Sequence, residues 1–132
     1  MELAELIAAL SRPDAYPHPA GPVEVIHTHI SVVFLAGPLA YKVKKPVNLG
    51  FLDFSTLDRR RHFCEEEVRL NRRLAPDVYL GVVPVVRAAD GVRVEGPGEA
   101  VEWAVKMRRL PEGATLHERV LRGEVGPDLA AA

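Results

Sequence analysis

Cysteine is almost missing from this chain, with Cys64 alone among 132 residues. One thiol excludes an internal disulfide and fits a reducing compartment. No apolar run approaches the roughly 18 residues that cross a bilayer as a helix. The chain opens Met1-Glu2 with no basic stretch, which argues against a secretory signal. Neither sign of charge is in excess: 17 basic and 18 acidic residues leave a net charge of −1. That removes any general pull toward nucleic acid or an anionic membrane. The glycine-rich phosphate loop G-x-G-x-x-G is absent, and there is no internal repeat. A soluble, cytoplasmic protein with no membrane or nucleic-acid partner is the expectation.

What is present suits one packed domain, since 48% of residues are hydrophobic. The apolar run Ile30 to Ala36 and the stretch Leu39 to Pro46 flank Gly37-Pro38 and read as a β-hairpin with a two-residue turn. Side chains alternate along a strand, so Ala40, Lys42 and Lys44 share one face, and Leu39, Tyr41, Val43 and Lys45 the other. The lysines fit the solubilising charges of an edge strand. Equally, a small Ala40 two residues before Lys42 leaves space for a flat ring beside a cation.

The helix that follows bears on that choice. Ser55-Thr56-Leu57-Asp58 reads as a capping box with Ser55 as N-cap, and Pro76 stops the helix, predicting a span of about Thr56 to Leu74. At about 100° per residue, Leu57, Phe63, Cys64, Val68, Leu70 and Leu74 form one broad apolar face. Glu67 falls near its middle, with Asn71 inside the same sector. A buried carboxylate is costly unless paired. Glu67 therefore calls for a cation from another element, and Lys42 is the best-placed one. Asn71 reads as structural and Cys64 as a small core residue. Arg59, Arg60 and Arg61 oppose the helix dipole, offset locally by Asp53, Asp58 and Glu65.

Elsewhere, Glu2 to Leu10 reads as a short amphipathic helix that must dock to be stable. Ser11 to Pro22 is an extended, proline-rich connector with an exposed His18. Strands are expected at Val23 to His27, Val78 to Val86, Val92 to Glu95 and Ala100 to Met107. In the last, Val101, Trp103, Val105 and Met107 should share a face. Pro84 demotes its part of the strand to an edge or bulge. In the turn His27 to Ser31, backbone amides and the hydroxyls of Thr28 and Ser31 offer phosphate contacts. Its two histidines lack a third metal ligand. Thr115 reads as the cap of a short helix, Leu116 to Arg122, ended by Gly123, and Gly126-Pro127 begins another.

Together these segments resemble the N-terminal lobe of the aminoglycoside phosphotransferase family, within the protein-kinase-like superfamily. The resemblance is carried by Thr28 to Ser31, Ala40 to Pro46, Gly50 to Ser55, Glu67 to Pro76 and Val105 to Pro111, and runs from about Val23 to Gly123. Some similar bacterial proteins carry an added P-loop ATP-binding domain. The resemblance implies an α+β fold: an antiparallel sheet of about five strands with one long helix packed on it. It divides the chain into an N-terminal helix and connector (1–22), a kinase-like lobe (23–111) and the truncated start of a helical lobe (112–132). By resemblance, Lys42 contacts the phosphates of ATP bound with Mg²⁺, Glu67 orients Lys42, Ala40 packs on adenine, and Met107 to Pro111, Arg109 included, form the hinge. Ser31 is a further nucleotide contact. The family's catalytic His-x-Asp loop and metal-binding Asp are absent. After Pro111 the only aspartate is Asp128, without the preceding His or following Asn.

The expectation is a nucleotide-binding lobe without catalytic residues of its own, inactive alone and partnered by a C-terminal lobe outside this sequence. The alternative is a non-catalytic interaction or self-association module, in which the surface left by the missing lobe is covered by another chain.

Overall fold

A computed structural model describes residues 2–50, 53–89 and 91–109. The expected helices after Thr115 and the end of the hinge, Leu110 and Pro111, lie outside these residues. The described part is α+β. Its strands are β1 (Glu24–His27), β2 (Ser31–Ala36), β3 (Leu39–Lys44), β4 (Tyr79–Ala88), β5 (Gly91–Val94) and β6 (Glu99–Arg108). They form one antiparallel sheet in the order β1-β2-β3-β6-β4-β5. The sheet thus has six strands, one for each run read from the sequence, where the resemblance implied about five.

The β2–β3 hairpin forms as its sequence predicts, with Ala36 opposite Leu39 and Gly37 at φ 62° in the turn. Pro84 sits inside β4. Its carbonyl accepts a hydrogen bond from the Glu95 amide, just past the end of β5. In a strand the N–H of a residue points to the same side as its carbonyl. The missing donor of Pro84 therefore faces Glu95, one residue past the end of β5, so the proline falls where the β4–β5 ladder stops.

The sheet is covered on both faces. On one, α1 (Leu3–Leu10) inserts Leu6 and Leu10 among Val32, Phe34, Tyr41, Val43 and Ala104. The connector after α1 is not merely extended: Pro13–Ala15 form a 3₁₀ turn, and Ala15, Tyr16 and Ala20 are buried with α1. His18, expected to be exposed, is half-buried. Its Nε2 lies 2.9 Å from the Tyr41 hydroxyl, and the two rings stack with planes 11° apart. The connector folds back onto the sheet, and proline-rich sequence carries no periodicity to announce it.

On the other face lies α2 (Leu57–Asn71), packed on β6 and β4. Its N-cap is Thr56, one residue beyond the expected Ser55; the Thr56 hydroxyl accepts from the Arg59 amide at 3.2 Å. The helix ends at Asn71, so Leu74 lies beyond it, exposed. Its inward stripe is narrower and more polar than the sequence suggested: Cys64, Glu67, Val68 and Asn71. Val101 also departs from expectation. The β4–β6 register shifts where Val85 pairs with Glu102 and Val86 with Ala100, which leaves Val101 unopposed. This bulge turns Val101 to the α1 side, whereas Val105 and Met107 face α2.

Candidate functional site

Beneath α2, two lysines of β3 meet one glutamate. Lys42 Nζ donates to Glu67 Oε2 at 3.2 Å, and Lys44 Nζ donates to Glu67 Oε1. All three are buried, with Lys42 1% exposed. Alternation along β3 delivers both lysines to the same face, and the α2 stripe delivers Glu67 to meet them. The Lys42–Glu67 pair is the one the sequence anticipates. The second partner, Lys44, is not. Its position on the shared face was legible, but not that a carboxylate's second oxygen would take it.

Burial and charge act against each other here. Burial alone would raise the Glu67 carboxyl, yet the two ammonium groups together pull it down to about 2. Burial lowers Lys42 below the usual lysine value, and repulsion from Lys44 adds to this against the pull of Glu67. For Lys44, burial works downward, but Glu67, its hydrogen bond and nearby Cys64 leave the ammonium raised. Two basic side chains on one acid leave this buried group with more lysines than carboxylates to pair them.

Two hydroxyls on this side of the sheet add to the arrangement. Ser31 pairs with Lys44 across β2 and β3, and its Oγ is buried without a hydrogen-bond partner among the described residues. The Tyr79 hydroxyl is likewise buried and unpartnered. Burial pushes its ionisation upward, and the charge of Glu67 adds to that. The turn before Ser31 is tied internally. The Thr28 hydroxyl accepts from the Ser31 amide at 2.9 Å and donates to the Ser31 carbonyl at 3.1 Å. Lys45, one residue past the end of β3, donates to the Thr28 carbonyl at 2.7 Å and braces the same turn.

The other expected site residues fall at different distances from this centre. Ala40 lies opposite Met107 across β3 and β6, and both are fully buried on the α2 side. Arg109 follows the end of β6 with an exposed side chain, and its amide donates to the Pro38 carbonyl at 2.9 Å. Asn71 is structural: its side-chain amide donates to the Glu67 carbonyl at 2.8 Å and satisfies the last turn of α2. Cys64 is buried, and burial pushes its thiol up to about 12. The three arginines at the start of α2 are engaged. Arg59 reaches Asp53, Arg61 reaches Glu65 and lies over the Trp103 ring, and Arg60 holds Glu102 and the Phe54 carbonyl. No three His, Cys, Asp or Glu side chains gather as a metal site among the described residues. Nor is any described helix long and apolar enough to cross a membrane.

Comparison with known proteins finds relatives of uncharacterized function. Uncharacterized proteins of Mycobacterium tuberculosis and Mycobacterium bovis are 38% identical to this chain over 111 residues. The match covers 83% of this chain but 21% of each relative, so the chain spans about a fifth of their length. No family model and no solved structure matches.

Proposed function

We propose that this chain is the nucleotide-binding lobe of a small-molecule kinase resembling the aminoglycoside phosphotransferases. The observation that carries the reading is the buried contact between Lys42 on the third strand and Glu67 on the helix that follows, at 3.2 Å. In protein kinases a third-strand lysine and a helix glutamate form the corresponding ion pair, and both must be in place for phosphoryl transfer. The six-stranded antiparallel sheet with one helix on that face supports the same reading.

The side chains fit the phosphate end of ATP. A surplus buried cation and two unpartnered buried hydroxyls, from Ser31 and Tyr79, suit an oxyanion with several lone pairs to satisfy. In this reading Lys42 binds phosphate oxygens and Glu67 fixes its direction. Ala40 and Met107, neighbours across two strands, supply the apolar floor for the base. Mg·ATP, when bound, supplies the transferable phosphoryl group. In this reading the residues of the lobe bind and orient the nucleotide. The mycobacterial relatives are about five times as long as the matched segment, which leaves ample chain for a second lobe in proteins of that kind.

A thermal-shift experiment tests the reading. Mg·ATP should raise the melting temperature of the native chain, and Lys42→Ala should abolish the rise. No rise in the native chain would contradict nucleotide binding and favour an interaction module instead.

A further inference from the structure

Glu67 has more cations than it needs. A single lysine would neutralise it, yet Lys42 and Lys44 each take one of its oxygens. Burying an uncompensated ammonium is costly, so an unneeded second lysine calls for a reason.

The two lysines are not held alike. Lys44 is fixed at two points: it bonds Glu67 Oε1, and its ammonium lies 5.5 Å from the centre of the buried Phe54 ring. Among the described residues, Lys42 bonds Glu67 alone, at 3.2 Å. Ser31, whose hydroxyl has no partner, stands opposite Lys44 across the hairpin. Lys42 is thus the lysine with fewer restraints.

We propose that Lys44 is a positioning residue for the phosphate site: it holds Glu67, leaving Lys42 free to turn from that carboxylate to an anionic phosphate oxygen. This rests on the nucleotide reading above. With one lysine, that turn would strip a buried carboxylate of its only cation. With two, Glu67 keeps Lys44 throughout. The group carries a surplus of one positive charge before the anion arrives and is close to neutral afterwards. The directions of ionisation agree. Burial and the neighbouring lysine hold Lys42 low, whereas Glu67 keeps Lys44 raised against burial.

The test compares the native 132-residue chain with Lys44→Met, Lys44→Arg and Lys42→Met. Mg·ATP binding is measured by isothermal titration at two salt concentrations, and the Glu67 carboxyl is followed by ¹³C NMR through an acid titration. Lys44→Met leaves a neutral Lys42–Glu67 pair. It should weaken Mg·ATP by about tenfold and flatten the salt dependence, and Lys44→Arg should restore most of the affinity. Lys44→Met should also raise the Glu67 titration more than Lys42→Met does. Native-like binding by Lys44→Met would overturn the proposal. If the native chain does not bind Mg·ATP, the nucleotide reading fails by itself. The role of Lys44 is then decided by the NMR titration: a larger shift from Lys42→Met than from Lys44→Met overturns it. Lys44→Gln, which also removes the second cation, supplies the same comparison should Lys44→Met fail to fold.

Discussion

Lys42 and Lys44 stand two residues apart on β3 and divide the two oxygens of one buried carboxylate between them. The hairpin fixes their common face, and α2 supplies the acid. The charge balance of this triad governs both stability and the chemistry the site can offer.

Removing the negative member should be severe. Glu67→Gln leaves two buried ammonium groups with no counter-ion. Breaking a buried pair in this way costs about 3–5 kcal/mol, and urea unfolding at pH 7 should show a loss of that order. A loss within experimental error would mean that the lysines find water in the native state.

The same carboxylate predicts an acid limb. Folded Glu67 titrates near 2, below its usual value of 4.5. The unfolded state therefore takes up a proton that the folded state refuses. The contribution is fully present above about pH 5 and is lost as pH falls from there toward 2. Unfolding free energy measured from pH 7 to pH 2 should decline through that window, with a shallower decline in Glu67→Gln.

Cys64 should be chemically silent in the folded protein. Its thiol is buried and pushed up to about 12, so almost no thiolate exists at pH 8. A chromogenic disulfide reagent should release less than one equivalent over hours in buffer and one equivalent promptly in denaturant. Prompt native reaction would show that α2 lifts readily from the sheet.

Gly37 couples the β2–β3 turn to the connector. It has φ 62°, and a Cβ there would meet the Pro19 carbonyl oxygen at 2.7 Å. Gly37→Ala combines left-handed strain with that clash and should cost about 1–3 kcal/mol, read as a lowered melting temperature. An unchanged melting temperature would show that the connector yields easily.

Much of this was written legibly in the sequence. Gly37-Pro38 between two apolar runs announces the hairpin, because few other structures join such runs in two residues. Glu67 stands out because a helical wheel places it among apolar side chains. The triad's third member was harder to read. Lys44 shares the face of Lys42, but strand alternation gives a side and not a partner. The cap slipped from Ser55 to Thr56 because either hydroxyl can cap, and Ser55 is bonded to Asp53 instead. Val101 was misplaced because a bulge breaks the alternation from which faces are read. His18 was misread because the stacking against Tyr41 belongs to the tertiary fold, of which proline-rich sequence gives no sign.

The central claim is that the Lys42 ammonium meets phosphate. It is tested most directly by NMR of the ¹⁵N-labelled lysine Nζ groups, with Lys42 assigned by its loss in Lys42→Met. The account predicts that the Lys42 Nζ signal shifts when Mg·ATP is added and stays in place with adenosine. A Lys42 signal unmoved by saturating Mg·ATP would contradict it.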